Sequence, residues 1–397
     1  MYTNLSRGRF LLLALTLLMV PCLGLQAQTS QTSLTTIPMQ LSTPGFAPLV
    51  RVTCNNSVEA TFLVATGINN CYITNRLADQ LQLSRFKLSE NNEACILSSL
   101  RFGDVSFSGQ MAFIVVNRQQ LDIISQWMAR DQSIDGILGA TFFERVPVLF
   151  DYPNLQLTVF PVNHKLTASD LARLGMMNAS VLPLQLGDKA GHYVVPVILG
   201  SDVQEKMLVD TGYRYTVISP ATAKALDLNS LQQIKSSEGA TPSLNLSMLS
   251  SMKLGTITLP NVGVVYFSQL PPNADWWDKA VLGANVLSQL RILYDLPEGK
   301  LYLQLPPEHR EKVGIEVLFL PDPLRMTITN ILPGSPAANV GLLSGDRILA
   351  IDGQEVSELT PDEAMRLLHP VAGKMLVLEV LHKGASQPTE IRISIPK

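Results

Sequence analysis

Most of the signatures that would reveal a chemistry directly are missing from this 397-residue chain. Charged residues make up only 16% and aromatics 6%, against 46% hydrophobic residues. That balance is the reverse of a disordered chain, which lacks apolar surface to bury. There is no long run of basic residues, so nucleic acid is not an expected partner. No HExxH or GxSxG occurs and the five histidines are scattered, so neither zinc-hydrolase nor nucleophile-elbow chemistry is supported. The four cysteines follow no zinc-ligand spacing, and neither a metal nor a cofactor is expected. Beyond the N-terminus no apolar run approaches the roughly 20 residues that span a bilayer.

What is present begins with an export signature. Arg7 and Arg9 precede the apolar run Phe10–Val20, followed by Pro21 and the small-residue exit Leu25-Gln26-Ala27. This is the layout of a secretory signal over residues 1–27, with cleavage after Ala27. Pro21 stands where a small residue should precede a lipidated Cys22, which argues against lipidation. Cleavage removes two positive charges and takes the formal net charge from -3 to -5. The expected location is periplasmic or secreted, or membrane-tethered if the segment is retained. Residues 28–45, rich in Ser, Thr and Gln, read as a flexible tether. In an oxidising compartment Cys54, Cys71 and Cys95 form either one disulfide and a free thiol or three buried thiols.

The chain also contains a duplication. Val58–Leu83 aligns without gaps with Val203–Leu228 at an offset of 145, with 9 of 26 positions identical. A second block, Ile134–Phe160 with ILGATFF and LFDYP, matches Asp278–Gln304 with VLGANVL and LYDLP at an offset of 144. Two ordered blocks at nearly one offset define a repeated domain. Each copy reads as β: Leu49–Cys54 and Ala60–Val64 form a hairpin about Asn55-Asn56, and Tyr193–Leu199 and Lys206–Val209 form one about Gly200–Asp202. Asn75–Leu83 and Pro220–Leu228 have helical spacing, while Ala112–Val116 and Val262–Phe267 are strand-like. A short helix at Ser169–Leu174 is expected within the connection Pro161–Ser180.

Leu208-Val209 leads into Asp210-Thr211-Gly212, then Val217-Ile218-Ser219, and later Val281-Leu282-Gly283. Asp-Thr-Gly alone is weak, but within a duplicated β domain and with the downstream apolar-apolar-Gly it becomes specific. The arrangement resembles the retropepsin-like aspartic proteases (pepsin and retropepsin type) over most of residues 46–305. The resemblance implies two β lobes, 46–161 and 178–305, each presenting such a loop to a cleft that takes a peptide or protein substrate. Two carboxylates about 3 Å apart cannot both ionise, so they share one proton and divide the acid and base roles.

The first copy departs from that pattern. It reads Ala65-Thr66-Gly67, with Ala65 where the second aspartate belongs. A lone Asp210 lacks the like-charge neighbour that raises a carboxyl pKa and is expected to stay ionised at neutral pH. Thr66 and Thr211 survive; in the family these threonines bond across the two loops, which implies pairing within one chain. A homodimer of two second copies would restore an Asp210 pair but must displace the first copy. After the motif stand Tyr213, Arg214 and Tyr215: Arg214 either reaches Asp210 or faces solvent while the tyrosines pack over the loop. Asp151 and Asp295, each near a turn proline, are expected to cap turns. Trp276-Trp277 is either surface packing or a peptide contact.

After the polar linker Pro306–Lys312 the chain changes character. Ser335-Pro336-Ala337-Ala338, Gly341-Leu342, Gly345-Asp346-Arg347-Ile348-Leu349 and Ile351-Asp352-Gly353 resemble a bacterial-type PDZ domain over 313–397. Asp352-Gly353 reads as a tight turn, and Thr360, Pro361 and Glu363 as a capping box ended by His369-Pro370. The resemblance implies that protein C-termini or extended strands add beside Val313, Gly314, Ile315, Glu316 and Val317, opposite Leu367. Only Gly314 remains of the usual glycine-rich loop, and one of Leu367 and Leu368 at least belongs to the core. The fold expected is mainly β, two tandem acid-protease lobes followed by a β-rich α+β PDZ domain. Two functions stay open: an aspartic endopeptidase centred on Asp210, or an inactive pseudoprotease that holds peptides.

Overall fold

The computed structural model describes residues 34–42, 47–89, 92–117, 119–121, 134–187, 192–230, 232–234, 244–267, 280–306, 313–320, 325–331, 335–359, 361–371 and 373–395. The signal segment, Trp276-Trp277, Thr360 and most of the linker Pro306–Lys312 lie outside the described residues. The fold is mainly β, as expected.

The two copies repeat one construction. Strands Pro48–Cys54 and Val58–Val64 pair antiparallel, joined by a turn in which Asn55 and Asn56 hold φ of 48° and 57°. Asparagine tolerates this left-handed region better than most residues. Tyr193–Leu199 and Val203–Val209 pair likewise, with Gly200 at φ 62° in the turn. Gly136–Leu138 lies parallel to Val58–Val64, and Ala280–Leu282 parallel to Val203–Val209. Each of these three-residue strands therefore runs behind the loop that its partner strand feeds.

The strand-like stretches prove longer than their apolar halves indicated. Ala112–Val116 is the end of Val105–Val116, paired with Glu93–Phe102, and Val262–Phe267 is the end of Ile257–Phe267, paired with Leu244–Leu254. Two-residue turns containing Gly103 (φ 52°) and Gly255 (φ 63°) let the polar halves stay in register. The helices are instead shorter, Asn75–Gln80 and Pro220–Ala225. Both end in a left-handed residue, Gln82 at φ 53° and Asp227 at φ 49°. The amides of Leu83 and Leu228 there donate to Ala78 O and Ala223 O, closing a C-terminal turn instead of another helical one. Thr74 and Ser219 cap the N-termini.

A six-stranded antiparallel sheet joins the lobes in the order Thr35–Pro38, Gln156–Val159, Val148–Asp151, Arg291–Asp295, Lys300–Gln304, Ser180–Pro183. At its centre Leu149 faces Leu293, which is also its repeat mate at the offset of 144, so the local pseudo-twofold passes through that pair. The expected tether, residues 28–45, is therefore corrected in part. Thr35–Pro38 is an edge strand of this sheet, with Ile37 and Met39 buried, because the alternating Thr35-Thr36-Ile37 pattern finds a partner in Gln156–Val159. One continuous core spans both lobes, and Phe143 of the first meets Tyr294 of the second edge-on at 5.7 Å. The connecting helix, Ala168–Arg173, has a capping box formed by Thr167 and Asp170.

Residues from Val313 on build a separate core. Its sheet runs Ile315–Leu320, Arg325–Ile331, Arg347–Ile351, Met375–Leu381, Thr389–Ser394. Asp352 (φ 47°) and Gly353 (φ 79°) make the expected tight turn, and the helix Pro361–Leu367 stops just before His369-Pro370. Leu368 is core and Leu367 packs half-buried at its edge.

Candidate active site

The two loops meet where the repeat places them. Thr66 Oγ1 donates to Val209 O (2.7 Å), and Thr211 Oγ1 donates to Val64 O (2.8 Å). The amides of Thr66 and Thr211 donate to each other's hydroxyls at 3.2 and 3.1 Å. All four bonds are buried and close within one chain, so both threonines spend hydroxyl and amide on the opposite lobe.

Behind each loop the apolar-apolar-Gly segment packs tightly. A Cβ on Gly139 would lie 2.2 Å from Asn70 O, and one on Gly283 would lie 2.2 Å from Tyr215 O. The following amides clamp the loops: Ala140 N donates to Ile68 O (2.6 Å) and Ala284 N to Tyr213 O (2.7 Å). Glycine is needed here for close approach, since φ at Gly139 and Gly283 is ordinary extended backbone at -100° and -96°.

Asp210 lies where the two loops meet, 4% exposed. Its Oδ1 accepts from Gly212 N at 2.8 Å, and the amides of Gly67 and Tyr213 also donate to the carboxylate. It rests on the first-copy loop so closely that a Cβ on Gly67 would fall 2.3 Å from its Cγ. Without a like-charged neighbour, Asp210 is still shifted from the ordinary carboxyl value. Burial pushes the Asp210 carboxyl up, the amides and the His192 charge offsetting part of the rise. A second acid is not required to raise it; desolvation does so.

Ala65 is fully buried in an apolar cluster with Ala47, Leu49, Leu63, Tyr72 and Ile137. Arg214 sits over the ring of Tyr215, 4.9 Å from its centroid, and Tyr213 and Tyr215 pack on Val217, Leu246, Val265 and Phe267. The packing alternative accounts for this loop. His192 was not singled out by the motif. It precedes the aligned block, and carrying the offset of 145 back to Ala47 would have exposed it.

The paired acids divide. Asp151 accepts from Asn154 N (3.3 Å) and Nδ2 (3.0 Å), capping its turn as expected, and also pairs with Arg291 Nε across the lobe interface at 2.9 Å. Asp295 is a correction. It is fully buried with neither oxygen in hydrogen-bond geometry to a donor, and burial pushes it up to about 6, Glu298 N offsetting only part. The position matching Arg291 in the other copy is Pro147, which has no charge to offer. Cys54, Cys71 and Cys95 are all buried thiols outside any disulfide, so the disulfide alternative is not realised; burial pushes Cys54 and Cys95 up to about 12.

In the C-terminal domain Val313, Ile315 and Val317 turn their side chains into the core, and Gly314 has φ 82°. Among the described strands Ile315–Leu320 pairs on one side only, leaving its other main-chain edge open.

Residues 195–286 match the family model described as an aspartyl protease, and residues 327–381 match that of a PDZ domain. The chain thus carries an aspartyl-protease-family domain followed by a C-terminal PDZ domain. Of curated proteins, a carboxyl-terminal-processing protease of Synechocystis sp. is 34% identical over 82 residues, 21% of this chain and 19% of that protein. A carboxy-terminal-processing protease of Bartonella bacilliformis is 32% identical over 81 residues, 20% and 18% of the two chains. The chain therefore spans about a fifth of the length of these relatives. Of solved structures, the aspartic proteinase from Irpex lacteus is similar at 13% identity and a TM-score of 0.44, covering 69% of this chain and 98% of that one.

Proposed function

We propose that this chain is an exported peptide hydrolase of the aspartic type, its chemistry centred on Asp210, with the PDZ domain bringing peptides or proteins to it. One observation carries the reading. The threonine bonds between Thr66 and Thr211 close within a single chain, so a pair of loops with the carboxylate seated on three amides is assembled without a second subunit. A carboxylate held by main-chain donors in a desolvated site can orient water and take its proton. At the PDZ domain, strand addition along Ile315–Leu320 is the recognition mode that its open edge supports. Export rests on the 1–27 signal layout and is checked by cell fractionation.

A second reading is favoured by Ala65: a cleft that holds peptides without cutting them. The two separate in one experiment. The mature chain is incubated with a mixed peptide library from acidic to neutral pH, beside Asp210→Asn and Ala65→Asp. Cleavage lost in Asp210→Asn supports hydrolysis. An inactive wild type with unchanged peptide binding supports the holding reading.

A further inference from the structure

The repeat compares two versions of one site inside a single molecule. In the first copy the hairpin register pairs Leu49 with Leu63, and run on by two residues it sets Ala47 against Ala65, both buried in one apolar cluster. In the second copy Val194 pairs with Leu208, and the same extension sets His192 against Asp210. The strand entry is alike in both: Ser42 N donates to Ala47 O at 2.8 Å, and Gly187 N donates to His192 O at 2.7 Å, again 145 residues on. Directly opposed residues of an antiparallel pair point to one face with Cβ atoms about 5 Å apart. One copy is therefore alanine at both positions, and the other carries a histidine and a carboxylate.

We infer that His192 is the second proton-carrying group of this site, facing Asp210 across the hairpin and doing the work that Ala65 cannot. The inference rests on the hydrolase reading above. Its strength is the inventory around Asp210. The amides of Gly67, Gly212 and Tyr213 hold the carboxylate and do not titrate. Tyr213 on the same loop, Tyr152 after the strand Val148–Asp151, and Tyr294 on Arg291–Asp295 all sense its charge. Burial and that charge push all three phenols above the ordinary tyrosine value, so they stay protonated at working pH. Arg214 is engaged over Tyr215. Among the described residues acting on Asp210, His192 is the imidazole, with one ring nitrogen that can donate and one that can accept a proton. It is half-buried.

The step balances without a cofactor. The Asp210 carboxylate takes a proton from water as the water oxygen bonds to the peptide carbonyl carbon. The His192 imidazolium gives its ring proton to the carbonyl oxygen. As the C–N bond breaks, the Asp210 carboxyl returns its proton to the leaving nitrogen and His192 recovers one from a hydroxyl of the tetrahedral carbon. A carboxylic acid and an amine leave.

The test uses the full mature chain, with wild type, His192→Gln, Ala65→Asp and the double variant assayed on a cleaved library peptide across pH. In His192→Gln, kcat falls about 100-fold with KM little changed, and the pH–rate profile loses one limb. In the Ala65→Asp background, where a second carboxyl is present, the same substitution changes kcat less than about 3-fold. Wild-type cleavage with an unaltered rate and pH profile in His192→Gln overturns the inference and leaves the hydrolase reading standing. An inactive wild type beside an active Ala65→Asp also overturns it, since the histidine then fails to replace the acid. Inactivity of every variant sinks the hydrolase reading and the inference with it. Ring resonances of His192 give a readout without turnover: they move in Asp210→Asn if the pair is in contact, and identical spectra overturn the pairing.

Discussion

Thr66 and Thr211 each satisfy a carbonyl of the opposite loop with a hydroxyl and an amide with the same oxygen. Replacing either by valine keeps the shape and strands a buried carbonyl and a buried amide, which costs about 2 kcal/mol. The two changes break separate bonds, two each, so the double variant loses about the sum of the singles; urea titration measures both. At Asp295 the sign of the pH effect is set by a carboxyl raised from 3.8 to about 6. The folded state binds that proton more tightly, so stability is highest below the unfolded value and falls as pH rises through about 6. The loss is about 3 kcal/mol, and Asp295→Asn removes it, flattening the unfolding curve between pH 4 and 7. Asp170 acts in the opposite sense. Thr167 and His164 hold it down to about 2, so its stabilisation is present above 3.8 and is lost as pH falls from there to about 2. Thermal midpoints across pH should therefore pass through a maximum near pH 4.

At the scale of the element, the repeated loop is a unit of three parts: a strand that feeds it, a parallel strand behind it, and a glycine that lets the two touch. Gly139→Ala and Gly283→Ala would drive a methyl group into backbone carbonyls, and each is expected to destabilise by about 2 kcal/mol or more, read from urea midpoints. This unit was legible from the sequence because Asp-Thr-Gly, Ala-Thr-Gly and both apolar-apolar-Gly segments sit in aligned blocks. Helix ends were less legible, since Gln82 carries no mark in its residue type that the chain turns left-handed there, and Asp227, a type that tolerates the turn, is common enough elsewhere to give no signal alone. The acidity of Asp210 was not legible at all, because it depends on how much water the folded loops exclude. His192 lay between these cases: its signal was the contrast with Ala47, outside the stretch of obvious identity.

For the whole molecule, the lobes share a core and a six-stranded sheet, whereas the PDZ domain keeps its own core. Calorimetry of the mature chain is expected to resolve two transitions, with substitutions at the lobe interface moving one of them. Arg291→Leu is the informative case. It leaves Asp151 buried without its cation and also removes donors to Gln304 Oε1 and Leu174 O, for a loss of about 3 kcal/mol. Neither Arg291 nor the strand Thr35–Pro38 was legible beforehand, because both act through partners more than 100 residues away along the chain.

That sheet also governs the order in which the molecule can be made. Thr35 pairs with Val159, so the first strand to leave the ribosome waits for more than 120 residues of synthesis before its neighbour exists. The central pairing needs Arg291–Asp295 and the far edge needs Lys300–Gln304, so neither half can finish alone. Contacts this distant along the chain are slow to form and leave unpaired edges exposed meanwhile. The bridging sheet thus stays incomplete until about three quarters of the chain has emerged, and only then can the two lobes lock onto each other.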